Sequence, residues 1–377
     1  MKKILITSYC NIFPPYWGGA SRIYNLTKFL AKENKVWLLC NDFRFLKDRE
    51  VCCKEYEELK NNLNVKIFFI KPFPSKSQII NISLISQGFK IIKKEKPDII
   101  LASHLSSAFN AMVIGWLSHI PYFLDEHNIE FMRHYRTYQN RKLQRLFLKI
   151  YENFACKKAK KIFCVSDNDK KLLISKLKIK DDKTILIPNA VDTEKFYPSN
   201  KNSNQIKKDL KLESSQIIQF FGKLDYKPNY EAVKIIRNEI LPRILKKIPN
   251  TKFLIVGDHP PLKFKHENIV FSGLVDDIQD YINVADVVIC PLLSGGGTRL
   301  KILEALCCGK TVISTTIGAE GIVLNEFKDV LLISDDWETF CNKIISCLST
   351  NTQSKNRNFY SLSWRKSAEE INKLLKF

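Results

Sequence analysis

A glycine-rich turn between a buried strand and an amphipathic helix is the feature that most constrains this chain. Residues 284–317 read VADVVICPLLSGGGTRLKILEALCCGKTVISTTI, and the helix is expected to run from about Thr298 to Gly309. A helix that starts after a parallel strand directs its unpaired amide groups, and the positive end of its dipole, toward one place. The sequence therefore predicts an anion site, typical of phosphate, whose backbone donors come from Gly295, Gly296, Gly297 and Thr298.

Charged side chains of this predicted helix could bind a ligand together with the turn. Arg299 and Lys301 lie in the first turn, where cations oppose the helix dipole, so their presence indicates a bound anion. Glu304 follows Lys301 by three residues and shares its helix face. One side chain can then meet phosphate while the other accepts hydrogen bonds from sugar hydroxyls. The alternative is a tight turn that only joins a strand to a helix.

Short apolar runs alternate with helical patterns along the whole chain, which predicts parallel sheets covered by helices on both faces. Its 377 residues are enough for two domains. We predict an α/β architecture of two doubly wound, Rossmann-like domains that face each other across a cleft, with site residues just after the strands. The predicted segments are an N-terminal domain at 1–198, a polar linker at 199–214, a C-terminal domain at 215–355 and a last helical segment at 356–377.

Several segments of the sequence resemble those of a known enzyme family. The run GGGTRLKILEALCCGKTVIST is similar to the donor-binding signature of glycosyltransferase family 4, in the branch with a Gly-Gly-Gly-Thr-Arg-Leu-Lys-x-x-Glu-Ala core. PPYWGGASRIYNLTKFLA, FLDEHNIE, VSDNDKKLL, IPNAVDTEKF and FFGKLDYKPNYEAV resemble further family segments in the same order. The resemblance implies the GT-B fold, a nucleotide-diphosphate-sugar donor, retention of anomeric configuration, and no metal or other cofactor. It also implies that the segment 356–377 crosses back to the N-terminal domain.

The sequence departs from the family at one position. Many members carry Glu-x7-Glu, in which Glu304 would be the second glutamate and would bind the nucleotide ribose. Gly296 stands eight residues earlier, where the first glutamate would be. Contacts with the donor sugar would then pass to backbone amides or to another residue.

Other candidates follow the predicted strands of the first half. Gly18 and Gly19 open a helix and leave backbone amides accessible to the donor diphosphate or the acceptor, with Arg22 as a weaker candidate nearby. The alternative is a helix entry that needs flexible glycine. His127 follows a strand in the segment FLDEHNIE, and the resemblance assigns this histidine to the catalytic centre. His104, on the same edge, is a weaker candidate.

Residues beside His127 and in the second half complete the predicted site. Asp125 or Glu126 could orient the His127 ring. Lys223 and Lys227 lie where related enzymes often place an arginine and a lysine for the donor phosphates, although lysine lacks the bidentate geometry of arginine. Glu320 follows a further strand and could line the same pocket.

Metal binding has one candidate, the Asp167-Asn168-Asp169 run after the strand IFCV. Asp-x-Asp holds a divalent cation in metal-dependent glycosyltransferases, but Ser166 with Asp169 also makes a helix N-cap box. We favour the cap and predict no metal. The eleven cysteines show no metal-ligand spacing, so they are expected to be reduced thiols in a cytoplasmic protein.

The net charge of +21 requires an anionic partner or another explanation. Residues 141–183 contain 14 Lys and Arg against 5 Asp and Glu, and an apolar stripe from Leu143 to Phe154 follows helical spacing. Such a helix can lie on an anionic membrane, or its stripe can pack into the core beneath solvated lysines. No nucleic-acid-binding motif is present, so we predict a membrane partner and no nucleic acid.

These patterns together predict a retaining hexosyltransferase that uses a UDP- or GDP-sugar, and an acceptor that is a glycan or a lipid-linked glycan. Its place would be the cytoplasm, peripheral to the inner face of the membrane, in polysaccharide or lipopolysaccharide synthesis. The alternatives are a non-hydrolysing nucleotide-sugar epimerase of the same fold, a non-catalytic nucleotide-sugar-binding scaffold, and a basic nucleic-acid-binding protein.

Overall fold

A computed structural model describes most of the chain: residues 1–15, 17–42, 53–73, 79–137, 141–295, 298–322, 327–350 and 359–375. The chain divides into two compact units. Unit 1 comprises Met1–Asn189 and Trp364–Phe377, and unit 2 comprises Ala190–Ser363. Two candidates, Gly296 and Gly297, lie outside the described residues.

Unit 1 is built on a parallel sheet of seven strands in the order β3-β2-β1-β4-β5-β6-β7. The strands are β1 Lys3–Ser8, β2 Lys35–Asn41, β3 Val65–Ile70, β4 Ile99–Ser103, β5 Tyr122–Glu126, β6 Lys161–Cys164 and β7 Thr184–Leu186. The helices are α1 Gly18–Ala31, α2 Lys54–Asn62, α3 Ile82–Glu95, α4 Leu105–Ser118, α5 Glu130–Thr137, α6 Lys142–Lys158 and α7 Asp167–Leu177.

Unit 2 is built on a parallel sheet of six strands in the order β10-β9-β8-β11-β12-β13. The strands are β8 Gln216–Phe221, β9 Thr251–Val256, β10 Ile269–Gly273, β11 Val287–Cys290, β12 Thr311–Ser314 and β13 Leu331–Ile333. The helices are α8 Ser203–Asp209, α9 Lys227–Ile235, α10 Leu241–Leu245, α11 Ile278–Val284, α12 Leu300–Cys307 and α13 Trp337–Thr350, and α14 Trp364–Leu374 returns to unit 1.

Apolar strand sequences explain these sheets. The strand KILITS of β1 and the strand VVIC of β11 are buried along almost their whole length, as expected for strands covered by helices on both faces. In each sheet the chain order reverses beside the first strand, between β1 and β4 in unit 1 and between β8 and β11 in unit 2. Ligands of doubly wound folds bind at the carboxyl ends of the strands at such a reversal.

The division of the chain differs from the predicted boundaries. The segment 199–214, predicted as a linker, lies inside unit 2. There α8 packs on α11, Asn202 donates a hydrogen bond to Asp280 at 2.7 Å, and Leu212 is buried in the core. The polar residues of this segment therefore face solvent, and its few apolar residues pack inward.

The last helix, α14, packs against α1 within unit 1. Asn372 accepts a hydrogen bond from Asn34 at 2.8 Å, and the guanidinium of Arg22 lies 5.7 Å from the ring centre of Trp364. These contacts place the end of the chain on the unit formed by its beginning. Among the described residues, no helix is both long enough and apolar enough to cross a bilayer.

Candidate functional site

The glycine-rich turn of unit 2 joins β11 to α12. Gly295 has a φ of +112°, a backbone conformation that residues other than glycine rarely adopt. A Cβ atom at Gly295 would lie 2.9 Å from Nη2 of Arg299. Because glycine has no Cβ, the guanidinium can pack directly against the backbone. Arg299 is the residue just before α12, and the turn and this cation are thus held at the start of the helix.

Lys301 reaches from the first turn of α12 to the end of β8. Its Nζ donates a hydrogen bond to Oδ1 of Asn229 at 3.0 Å and lies 4.3 Å from the ring centre of Phe220. A Cβ at Gly222, directly after β8, would be 2.8 Å from the same nitrogen. Burial lowers the pKa of Lys301 to about 8. A cation is therefore fixed beside bare backbone at the point where the strand order reverses.

Glu304 follows Lys301 by one helical turn. Burial raises the pKa of this carboxyl to about 7, although Lys195 and Lys301 act in the opposite direction. Near neutral pH the side chain thus exists in both protonation states. Ionised, it can only accept hydrogen bonds, as a ribose hydroxyl pair would require.

The loop after β12 approaches the same turn. Gly321 has a φ of +82°, and a Cβ there would be 2.7 Å from Oγ1 of Thr298. Glu320, the residue before it, is half-buried. Gly321, the residue directly after Glu320, is thereby brought close to Thr298 at the end of the glycine-rich turn.

The two lysines of the β8–α9 segment are more exposed. Nζ of Lys223 lies 3.4 Å from Asp225, and Nζ of Lys227 lies 3.9 Å from Glu231. Lys227 is the more exposed of the two and would have to leave its carboxylate to meet a phosphate. The structure places Lys223 beside the site through its carbonyl, which accepts a hydrogen bond from Asn229.

His127 of unit 1 belongs to a buried network of hydrogen-bonded, ionisable side chains. Nε2 of His127 lies 2.9 Å from Asp125, which also accepts hydrogen bonds from Nε and Nη2 of Arg22 at 3.0 and 2.6 Å. The Arg22 and His127 contacts hold the pKa of Asp125 below its usual range, although burial alone would raise it. Burial lowers the pKa of His127. A neutral ring that donates from Nε2 to Asp125 leaves Nδ1 as an acceptor.

Arg22 therefore does not offer its charge to a ligand. Its remaining hydrogen bonds go to the carbonyl oxygens of Ile187 and Pro188 and to the side chain of Asn189. Arg22 is 1% exposed and stabilises the segment that follows β7. The weaker candidate of the first helix is thus a buried structural partner of Asp125.

His104 makes a second pair on the same edge. Its Nδ1 accepts a hydrogen bond from the amide of Ser106, so the ring proton lies on Nε2, which is 3.1 Å from Glu130. Burial alone would raise the pKa of Glu130, but the hydrogen bonds from His104 and Arg133 hold this pKa at about 2. The rings of His104 and His127 have centres 5.5 Å apart. The two histidines thus form one cluster at the carboxyl ends of β4 and β5.

Of the two acidic neighbours of His127, Asp125 makes the hydrogen bond that orients the ring. Both carboxyl oxygens of Glu126 are buried and lack a hydrogen-bond partner within the described part of the chain. Burial, and then the neighbouring Glu152, raise the pKa of Glu126 well above its usual value. Glu152 itself accepts hydrogen bonds from the amides of Glu130 and Phe131 at 2.8 and 3.0 Å. This α6 residue therefore holds the start of α5, just after the histidine.

The two glycines at the start of α1 differ from each other. A Cβ at Gly18 would meet nothing within 4 Å, so this backbone is open. A Cβ at Gly19 would be 2.6 Å from the ring of Trp17 and 2.8 Å from the hydroxyl of Tyr9. Gly19 is required for packing beneath these rings, whereas Gly18 leaves its amide accessible.

The Asp167–Asp169 run is used as a helix cap. Ser166 accepts a hydrogen bond from the amide of Asp169 at 3.1 Å and donates one to its carboxylate at 2.7 Å. In the described ranges, the one group of three side chains close enough to share a metal ion is Asp225, Asp258 and His259, in unit 2. Exposed acidic groups of this kind are common without an ion.

Sequence reasoning missed three residues that the structure places in these clusters: Gly222, Asn229 and Glu152. Gly222 ends an apolar strand, which was an available signal for close approach of a ligand or side chain. Asn229 and Glu152 carry no such signal, because their partners are 72 and 22 residues away in sequence.

Comparisons with known proteins agree with this architecture. A family model described as Glycosyltransferase Family 4 matches residues 17–195, and one described as Glycosyl transferases group 1 matches residues 215–350. The chain is 29% identical over 344 residues to the UDP-Gal:alpha-D-GlcNAc-diphosphoundecaprenol alpha-1,3-galactosyltransferase of Escherichia coli, covering 84% of this chain and 86% of that protein.

Two further comparisons span almost the full length. An uncharacterised glycosyltransferase of Methanocaldococcus jannaschii is 24% identical over 404 residues, covering 99% of this chain and 98% of the relative. The crystal structure of Anabaena HepE in complex with UDP-glucose superposes with a TM-score of 0.73 at 16% identity, and all of both chains is covered. The chain belongs to glycosyltransferase family 4 and is a glycosyltransferase of the GT-B fold.

Proposed function

We propose that this glycosyltransferase moves a hexose from a UDP- or GDP-sugar to an acceptor hydroxyl, with retention of configuration and without a metal ion. The observation that carries the proposal is the position of Lys301, whose ammonium group lies beside the bare backbone of Gly222 at the end of β8. Arg299 lies against Gly295 at the start of the same helix. Two cations and a helix N-terminus at a reversal of strand order suit a diphosphate.

The chemistry follows from these charges. As the bond between sugar and diphosphate breaks, negative charge grows on the phosphate oxygen, and Arg299 and Lys301 would stabilise it electrostatically. Glu304, when ionised, would accept hydrogen bonds from the ribose hydroxyls. In unit 1, Nδ1 of His127 would accept a hydrogen bond from a sugar hydroxyl of a substrate. The departing phosphate oxygen would take the acceptor proton on the same face of the sugar.

A saccharide on a diphosphate-lipid carrier is the acceptor we propose. The Escherichia coli relative acts, by its name, on a sugar linked to diphosphoundecaprenol and uses UDP-galactose. The net charge of +21 on this chain supports an anionic acceptor. UDP-galactose is accordingly the first donor to test, and GDP-sugars are the second group.

The test is transfer from radiolabelled UDP- and GDP-sugars to a GlcNAc-diphosphate-lipid, with and without EDTA, followed by NMR of the product anomer. Arg299→Ala and Glu304→Ala should abolish transfer while the melting temperature is kept. Arg243→Ala and Glu239→Ala are matched controls, because these residues form an exposed ion pair elsewhere in unit 2. Wild-type turnover in both site variants would refute the assigned site.

Other outcomes distinguish the alternatives. An epimerised nucleotide sugar formed without acceptor would favour the epimerase, and donor binding without any turnover would favour the scaffold. Transfer that EDTA abolishes and Mn²⁺ restores would contradict metal independence.

A further inference from the structure

Helix α6 turns a row of large apolar side chains outward. Their spacing places them on one face of the helix, and each is about half exposed or more. They are Leu143 at 83%, Leu146 at 55%, Phe147 at 59%, Ile150 at 61% and Phe154 at 47% exposed. The alternative in which this stripe packs into the core is therefore wrong.

Hydrogen bonds on the opposite face fix the rotation of α6. Glu152 accepts hydrogen bonds from two amides of α5, and the hydroxyl of Tyr151 donates to the carbonyl of Leu105 at 3.0 Å. Ala155 and Cys156 are buried on that face. The stripe cannot turn inward without breaking these bonds, so its exposure is a property of the packed unit.

The exposed charge of α6 has one sign. The carboxylate of α6 belongs to Glu152, and it is buried. Arg145 lies 4.8 Å from the ring centre of the exposed Tyr135, and Nζ of Lys158 lies 5.9 Å from that of Phe154. The cations of α6 and of the residue before it are Arg141, Lys142, Arg145, Lys149, Lys157 and Lys158.

We propose that this face, defined by the five apolar residues and the cations around them, docks the protein on an anionic phospholipid bilayer. An apolar row flanked by cations and free of exposed carboxylates suits insertion between negatively charged headgroups. A second copy of the chain is disfavoured as the occupant, because it would place one cationic face against another on molecules that each carry +21. The proposal deepens the proposed function, since a lipid-linked acceptor lies in such a surface, but it is carried by α6 itself.

The experiment is co-sedimentation of the full chain with phosphatidylglycerol-containing vesicles and with pure phosphatidylcholine vesicles. The wild type should bind the anionic vesicles, with an affinity that falls as salt rises. Lys142→Gln/Lys149→Gln should weaken binding by roughly 25-fold, at about fivefold for each cation near the surface. Phe147→Ser/Ile150→Ser should weaken it at least tenfold.

Matched controls distinguish binding through this face from nonspecific electrostatic or hydrophobic binding to vesicles. Lys246→Gln/Lys247→Gln and Leu262→Ser/Leu274→Ser alter exposed residues of unit 2 and should leave vesicle binding unchanged. Equal binding of both vesicle types, or full binding by both α6 variants, would overturn the proposal. So would a dimer in sedimentation velocity that the Phe147→Ser/Ile150→Ser change dissociates, without vesicle binding by the wild type.

Failure of this proposal and failure of the proposed function give different results. UDP-sugar binding in solution does not involve α6, so both α6 variants should keep it. Loss of vesicle binding with intact donor binding bears on the docking surface alone, and absent donor binding with intact vesicle binding bears on the proposed function alone.

Discussion

The pH dependence of donor binding follows from two neighbouring residues of α12. Burial sets the pKa of Glu304 at about 7 and that of Lys301 at about 8. In the proposed site the donor binds when Glu304 is ionised and Lys301 is protonated. Glu304 loses the required form as pH falls through 7, and Lys301 loses it as pH rises through 8. Donor affinity should therefore be greatest near pH 7.5.

The size of the effect follows from these two values. At pH 7.5 about 58% of molecules hold both groups in the required forms, against about 9% at pH 6 and about 23% at pH 8.5. The dissociation constant should accordingly rise about sixfold between pH 7.5 and pH 6, and about 2.5-fold between pH 7.5 and pH 8.5.

Isothermal titration calorimetry with a UDP-sugar at fixed ionic strength measures this profile. A UDP-sugar is preferable to UDP, because it lacks the terminal phosphate group that titrates near pH 6. Glu304→Gln should flatten the acid side of the profile, and Lys301→Arg should flatten the alkaline side, since arginine stays charged. If Glu304→Gln keeps the full loss of affinity between pH 7.5 and pH 6, the assignment of the acid group is wrong.

Three further predictions concern stability and the site. Asp125→Asn should lower the free energy of unfolding by about 3–5 kcal/mol in urea titrations, because Arg22 would keep a buried charge without its partner. Glu126 has a raised pKa, so its contribution to stability is present at low pH and is lost as pH rises; Glu126→Gln should reduce the fall in unfolding free energy between pH 5 and pH 8. Gly222→Ala should weaken UDP-sugar binding at least tenfold, because its Cβ would lie 2.8 Å from Nζ of Lys301 and displace the ammonium group.

Each of these predictions has a contrary result. A change below about 1 kcal/mol for Asp125→Asn would mean that water or another group replaces the lost charge. An identical pH dependence of stability in Glu126→Gln would show that other groups cause it. Wild-type affinity in Gly222→Ala would mean that Lys301 can move without loss, and that its position beside the strand end is not required.

Much of the fold follows from local patterns. The apolar runs at 4–8, 216–221 and 311–314 can be read as strands from their letters alone and coincide with β1, β8 and β12, because buried parallel strands must be apolar on both faces. The short elements β13, α5 and α8 were missed. Each has too few residues to show a period, and each is stabilised by tertiary contacts instead.

The sequence by itself determined the alternating architecture, the glycine-rich turn and the family, since each depends on residues close together in the chain. Tertiary structure decided which charges face a ligand. Arg22 and Glu126 both follow the predicted pattern of site residues, yet one is neutralised by Asp125 across 103 residues and the other is buried beside α6. It also decided that the apolar stripe of α6 faces outward. Helical spacing shows that a stripe exists, but only the packing of the opposite face determines what the stripe meets.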